Sequence, residues 1–279
     1  MKFAYFGFDA LAPCLEKLLS DGHQPMQIFS FFTDGRYDFN RRILNLAAAH
    51  NIPVSFSKPK KEELEDLAQR GCEIFISAAY AYKIPEIPET AYGINIHPTL
   101  LPKGRGKFPL PFILLEHRDG AGITIHKLSK NIDAGDIMYQ KPIALNDNED
   151  METLTCKIVM HAPGCLSECM DNIKTFWQNA RAQNEAEAIH FPYPPDSMRY
   201  VSWDMSMEEI GKIGRAFSRL GWMCELQGQR YWVFQYAYWH ENHTFTPGSI
   251  VSVLDREIAV AARDGFVCLK EFEPVGKAG

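Results

Sequence analysis

No apolar run in this sequence reaches the roughly 18 residues that a membrane-spanning helix needs, so a helical membrane anchor is not expected. Met1 leads directly into Lys2 and a strand-like stretch, without the apolar core and cleavage site of a secretory leader. A cytoplasmic location is therefore expected. Cysteines are present at 14, 72, 156, 165, 169, 224 and 268, but none are spaced C-x-x-C. An odd, dispersed set without a histidine cluster suits buried free thiols in a reducing compartment and gives no metal site. There is no surplus of positive charge: the formal net charge is −6 and the pI about 5.9. That argues against a broad nucleic-acid surface, which rests on neutralising phosphates, and leaves room only for a local basic patch. The residues after the first strand, Gly7-Phe8-Asp9, are not G-x-G-x-x-G, so no dinucleotide cofactor is expected. Neither internal repeats nor low-complexity tracts occur.

The chain does have the composition and length of a globular protein of one large or two ordinary domains: 279 residues, 46% hydrophobic. Its first half alternates short apolar runs with amphipathic stretches. Strands are expected at Lys2–Gly7, Gln27–Phe32, Val54–Phe56, Glu73–Ala78 and Gly93–His97. Helices are expected at Ala10–Ser20, Arg41–His50 and Lys60–Arg70. This alternation predicts an α/β fold with a Rossmann-like, mostly parallel sheet whose ligands bind beyond the carboxyl ends of the strands. A helix at Leu110–Glu116 and strands at Gly122–Leu128 and Ile137–Pro142 come next, followed by a helical stretch at Met151–Gln178 broken at Pro163-Gly164. Residues 181–203 carry Pro192, Pro194 and Pro195 and little periodicity, and read as a linker between a domain at 1–180 and another at 204–279. The second domain begins with a helix at Met207–Ser218. Five short strands follow, near 222–227, 230–239, 249–254, 257–261 and 266–271, the rhythm of a small β-barrel.

The chemistry-bearing residues cluster between Asn95 and Asp136. Side chains two apart on a strand share a face, so Asn95 and His97 project together at the end of the fifth strand, where Pro98 is expected to stop the ladder. Asp133 waits in a later loop. An amide N–H can donate to a developing oxyanion, an imidazole can move protons, and a carboxylate can orient that imidazole. The trio suits acyl transfer through a tetrahedral intermediate in which the substrate brings its own nucleophile. An isolated N-x-H, however, is more often structural than catalytic. Arg105 reads equally as a ligand for a substrate phosphate or carboxylate and as one half of a structural ion pair. The aromatics Tyr231, Trp232, Phe234, Tyr236, Tyr238 and Trp239 read better as barrel packing than as a base-stacking platform.

The flanking residues change the weight of the motif. Asn95-Ile96-His97-Pro98-Thr99-Leu100-Leu101-Pro102-Lys103-Gly104-Arg105-Gly106, then Gly122-Ile123-Thr124-Ile125-His126 and Asp133-Ala134-Gly135-Asp136-Ile137, resemble the formyltetrahydrofolate-dependent formyltransferases. Met1–Gly7 is similar to that family's first strand and Ala78–Lys83 to its Ala-Tyr segment. Arg215-Ala216-Phe217, Gly248–Val251 and Asp264-Gly265 resemble the C-terminal domain of its tRNA-directed members. The resemblance implies an OB-like C-terminal barrel, catalysis by Asn95, His97 and Asp133, and N10-formyltetrahydrofolate as formyl donor without a metal. It implies a pterin pocket from Ala78, Ala79, Tyr80, Ala81, Tyr82 and Lys83 with the loop Ile132, Asp133, Ala134, Gly135 and Asp136, shaped by Leu100, Leu101 and Pro102. It places the acceptor near Phe8, Asp9, Thr99 and Arg105. His126 is expected behind the catalytic residues and Asp136 as a support of the Asp133 loop.

Three departures bear on the acceptor. The segment Phe32–Arg42 carries three arginines and two aspartates, where the tRNA-directed members have a longer, Lys/Gly-rich insertion. The residues after Gly7 are not the usual Thr-Pro-x-Phe. Pro98 replaces a small residue. The expected activity is therefore N-formylation of a primary amine on a small molecule, an amino sugar or sugar nucleotide, with methionyl-tRNA formyl transfer as the disfavoured alternative. Formyltetrahydrofolate hydrolysis and non-catalytic folate binding are further alternatives. Hydrolases of this kind normally carry an N-terminal regulatory domain, and binding alone does not need all three of Asn95, His97 and Asp133. No membrane partner is expected, and the sequence gives no oligomeric state.

Overall fold

The computed structural model describes residues 1–35, 38–218 and 220–276. They form two compact units. One comprises Met1–Pro109, Asp119–Ala144 and Thr155–Pro192, and the other Leu110–Arg118, Leu145–Leu154 and Tyr193 onward. Of the Thr33–Arg42 loop, Arg36 and Tyr37 lie outside the described residues.

The first unit is built on β1 (Lys2–Gly7), β2 (Gln24–Phe29), β3 (Val54–Ser55), β4 (Ile74–Ala78), β5 (Tyr92–Thr99), β7 (Ala121–Lys127) and β8 (Ile137–Pro142), ordered β3-β2-β1-β4-β5-β7-β8. The five strands from β3 to β5 pair in parallel, and β5–β7 and β7–β8 pair antiparallel. The sheet is mixed, mostly parallel. Phe3 to Phe6 on β1 and Ile74 to Ile76 on β4 are completely buried, as expected of parallel strands covered on both faces. Helices α1 (Ala12–Ser20), α2 (Arg41–Ala49) and α3 (Lys61–Gln69) connect β1 through β4. Strand order reverses direction between β1 and β4, and there Gly7, Ala78 and Ile96 lie abreast. Such a reversal opens a crevice at the carboxyl edge. A Cβ on Gly7 would stand 2.5 Å from the Ala78 carbonyl oxygen, so glycine lets β1 and β4 close there.

Three expectations need correction. The second strand is Gln24–Phe29 rather than Gln27–Phe32: Pro25 is accommodated at a register shift opposite Phe3, while Phe31 and Phe32 leave the ladder. Pro98 does not end β5. The ladder skips a residue between His97 and Thr99, and that irregularity absorbs the missing N–H. The helix α5 (Met151–Asp171) runs through Pro163, and the break falls at Asn172, before α6 (Ile173–Gln178). Ile158, Ala162, Leu166 and Met170 form an unbroken buried stripe along α5, which outweighs the one hydrogen bond proline removes. Two more short strands, β6 (Lys103–Arg105) and β9 (Ile189–His190), pair in parallel.

In the second unit α7 (Met207–Ala216) starts with a capping box between Ser206 and Glu209 and packs with α4 (Leu110–Leu115). Five antiparallel strands, β10 (Trp222–Leu226), β11 (Gln229–His240), β12 (Ile250–Leu254), β13 (Glu257–Ala262) and β14 (Gly265–Pro274), are ordered β10-β11-β14-β13-β12. Among the described residues no ladder joins β12 to β10. The β11 aromatics pack with neighbours: Tyr236 meets Trp222 edge-on, and the Arg199 guanidinium lies 4.3 Å from the Trp232 ring centre. No helix among the described residues is long and apolar enough to cross a membrane.

Candidate active site

Strand register brings the expected trio together. On β5, Asn95 pairs with His126 of β7 and His97 with Thr124. The loop after β7 turns back through Asp133, which holds the left-handed φ of +54°, a conformation aspartate tolerates better than most side chains. Its carboxylate then points at both strands. Oδ2 accepts the Gly106 N–H at 2.9 Å. Oδ1 accepts from Asn95 Nδ2 at 3.3 Å and lies 3.5 Å from His97 Nδ1 and 3.6 Å from His126 Nε2.

Carbonyl partners assign the tautomers. The Gly104 carbonyl only accepts, so His97 Nε2–H donates to it at 2.7 Å and leaves Nδ1 toward Asp133. Likewise His126 Nδ1–H donates to the Lys127 carbonyl at 2.9 Å, and its Nε2 accepts from Asn95 Nδ2 at 3.0 Å. Asn95 therefore spends both amide hydrogens, one on His126 and one on Asp133. His97 is almost fully buried, at 4% exposure. Burial lowers its pKa below 6.5, against the opposing pull of Asp133 and Gly104, so the ring is neutral near pH 7. Burial pushes the Asp133 carboxyl up, but His97, His126 and the Gly106 N–H more than reverse this and hold it well below the usual carboxylate range. The site thus holds a fixed anion facing a neutral ring, and a proton arriving on His97 Nδ1 meets a carboxylate.

The other expected site residues divide into two groups. Ala79, Tyr80, Ala81, Tyr82 and Lys83 line the surface just beyond β4, with Ala79 in the left-handed region at φ +60°. The Tyr80 hydroxyl is buried with no hydrogen-bond partner among the described residues, and burial raises its pKa to about 12, so it stays protonated. Ile132 is exposed, and Gly135 is buried against the Lys127 backbone. Asp136 pairs with Lys127 at 3.1 Å, supporting the loop. The residues expected near the acceptor are mostly committed elsewhere. Asp9 accepts the Arg42 and Ile43 N–H groups at 3.0 and 2.9 Å, capping α2. Thr99 is completely buried and donates to the Lys103 carbonyl. Arg105 is 2% exposed and bonds Glu185 at 2.7 and 2.9 Å and Gln183 at 2.8 and 3.0 Å. Phe8 is half-buried, its ring 5.2 Å from that of Phe31. Leu101 is buried, and Leu100 packs where a Cβ on Gly122 would sit.

The reading from sequence missed two contributors. The Gly106 N–H is a backbone group with no side-chain signal. Gln183 lies in a stretch without periodicity, and nothing in its surroundings marks it.

Residues 38–169 match the family described as Formyl transferase and residues 196–278 its C-terminal domain. Methionyl-tRNA formyltransferase of Streptococcus pneumoniae is 25% identical over 82% of this chain and 76% of its own length. Among solved structures, HypX from Aquifex aeolicus in complex with tetrahydrofolic acid superposes with a TM-score of 0.73 at 17% identity. The match covers 99% of this chain but only 45% of HypX. WlaRD, a sugar 3N-formyl transferase solved with dTDP and 5-N-formyl-THF, gives 0.66 at 17% identity over 99% and 98% of the two chains. An N-formyltransferase from Helicobacter canadensis, with folinic acid and dTDP-3-aminofucose, gives 0.64 at 17% over 98% and 99%. The matched regions and the fold define a one-carbon transferase. The chain belongs to the formyltetrahydrofolate-dependent formyltransferase family.

Proposed function

We propose that this chain transfers a formyl group from N10-formyltetrahydrofolate to a primary amine on a small molecule, an amino sugar or sugar nucleotide. The observation that carries this is the convergence of Asn95, His97 and Asp133 at the carboxyl edge of the sheet, where Asp133 Oδ1 lies 3.3 Å from Asn95 Nδ2 and 3.5 Å from His97 Nδ1. On this reading residues 1–180 are the Rossmann-like catalytic domain, 181–203 the connecting segment and 204–279 an OB-like domain, in the cytoplasm. The surface beyond β4 fits a flat ring: it is exposed, with small side chains at Ala79 and Ala81. The folate supplies the formyl carbon that the acceptor amine attacks. Asn95 turns an N–H to the formyl oxygen by releasing its longer bond, the 3.3 Å one to Asp133. His97 receives the proton the amine loses, and Asp133 stabilises the imidazolium so formed. The same proton passes to the departing folate nitrogen as its bond to the formyl carbon breaks, releasing tetrahydrofolate and the N-formyl product. No resident metal is needed for these steps.

Burial keeps His97 neutral near pH 7, and the attacking amine must also be neutral. We therefore expect kcat/KM to rise toward mildly alkaline pH. A profile flat from acid to alkaline would mean that product release or a conformational step limits turnover.

The amino-sugar acceptor is supported by two near-full-length structural matches whose proteins act on sugars or carry an amino-sugar nucleotide. The methionyl-tRNA reading is favoured by the pneumococcal relative. Against it, Arg42, one of the cations of the 33–42 loop, is held by Glu16 at 2.6 Å. The test is a panel of amines with formyltetrahydrofolate, following tetrahydrofolate release against a no-amine blank. We expect turnover with a small amino sugar, weak or no formylation of charged initiator tRNA, and only a shallow dependence on salt. Efficient formylation of methionyl-tRNA, falling steeply with salt, would promote the second reading. Release in the blank alone would indicate hydrolysis.

A further inference from the structure

The connecting segment beyond α6 reaches back into the catalytic loop through one side chain. Gln183 Nε2 donates to two backbone carbonyls, those of Asp133 and Gly135, each at 2.7 Å. Its amide oxygen accepts from both Nε and Nη2 of Arg105, at 3.0 and 2.8 Å. Arg105 cannot drift, because it is buried and its Nη2 and Nη1 also hold Glu185, at 2.7 and 2.9 Å. The segment itself is pinned on either side. Arg181 exchanges backbone hydrogen bonds with Ile137 at 2.8 and 3.0 Å, and the Phe191 N–H reaches the Arg105 carbonyl at 2.8 Å. A Cβ on Gly106 would come within 2.3 Å of the Phe191 carbonyl oxygen, so the same segment abuts the residue whose N–H holds Asp133 Oδ2. Asp133 is thus gripped from both ends. Gly106 holds its carboxylate, and Gln183 holds its backbone in the left-handed conformation that aims it at His97.

We propose that Gln183 is a positioning residue for formyl transfer, clamping the Asp133 loop through the carbonyls of Asp133 and Gly135 while Arg105 fixes the clamp from behind. The inference rests on the proposed reaction for its kinetic consequence and on geometry alone for the clamp. It assigns Arg105 a role through Gln183 instead of contact with the acceptor. The physical logic is directional. A carboxamide offers both a donor and an acceptor, and this position uses both. Glutamate keeps the acceptor half toward Arg105 and loses the donor half toward the loop.

Gln183→Glu and Gln183→Met separate the two halves. We expect Gln183→Glu to melt near the wild-type temperature, because the Arg105 contact survives as an ion pair. Its kcat should nevertheless fall by on the order of 10²-fold, the scale of an ångström-size misplacement of a catalytic group, with the KM for the amine little changed. Gln183→Met should lose activity and melt lower. In both variants, hydrogen–deuterium exchange at the Gly106 amide should accelerate, since its acceptor is no longer held in place. Near-wild-type kcat in Gln183→Glu with unchanged Gly106 protection would overturn the proposal. A loss of melting temperature in Gln183→Glu that accounts for all of its lost activity would reduce Gln183 to a structural residue. If wild type turns over with no amine, the proposed reaction fails and the exchange rates alone decide the clamp.

Discussion

Asp133→Asn and His97→Ala should each lower kcat by about 10²-fold or more, the usual scale for groups that manage protons in a transition state, with the affinity for folate largely kept. Asp133→Asn is the sharper of the two. The amide is nearly the same shape, so its oxygen can still take the Gly106 N–H. What disappears is the negative charge 3.5 Å from His97 Nδ1. In its place stands an NH2 that cannot accept from Asn95, so a buried donor loses its partner as well. Steady-state release of tetrahydrofolate measures kcat, and a thermal melt checks that each variant is folded. Asn95→Ala should cost a comparable factor if its N–H meets the formyl oxygen. A fully folded variant of any of the three with near-wild-type kcat removes that residue from the chemistry.

Gly135→Ala should do comparable damage without touching a polar side chain. A Cβ there would stand 1.8 Å from the Lys127 carbonyl oxygen and 2.8 Å from its carbon. Both are backbone atoms, so no rotamer change relieves the overlap. The Lys127 carbonyl also accepts from His126 Nδ1, and the Gly135 carbonyl accepts from Gln183. The added methyl therefore pushes β7 and the Asp133 loop apart at the point where both are tied to the Asn95, His97 and Asp133 cluster. We expect kcat to fall by on the order of 10²-fold, as for a misplaced catalytic group, and stability to fall by about 1–3 kcal/mol, as for overpacked cores. Gly164→Ala makes the contrast. It lies within α5, and nothing stands within 4 Å of its added Cβ. That change should stabilise by about 0.5–1 kcal/mol and leave kcat alone. Denaturant melts and turnover on both proteins check the pair. A Gly135→Ala enzyme of normal activity would show that the loop tolerates displacement.

The meeting of Asn95 and His97 with Asp133 was legible because it depends on two local facts, the two-residue period of β5 and the end of that strand. The five C-terminal strands were legible for the same kind of reason: turn residues punctuate them at short intervals. Strand direction was not. The apolar runs of β7 and β8 read like those of β1 and β4, and only the way the chain returns makes them antiparallel. Pro98 and Pro163 misled for a shared reason. Each removes one hydrogen bond, and in each case tertiary structure tolerates that loss, through a register skip at Pro98 and a buried stripe around Pro163. Arg105 could be read from its sequence neighbours as a pocket cation or an ion-pair partner. Its actual partners, Gln183 and Glu185, lie 78 and 80 residues away, beyond the reach of any local pattern.

That same distance has a consequence for how the protein is made. A ribosome that has just completed the Asp133 loop has already synthesised Asn95, His97, Gly106 and His126, yet the residue that holds the Asp133 carbonyl follows 50 positions later. Through that interval the nascent chain contains every group of the trio but not the hydrogen bonds from Gln183 that fix its third member. The site is finished last, from downstream, by a stretch of chain that has no regular secondary structure at Gln183 itself.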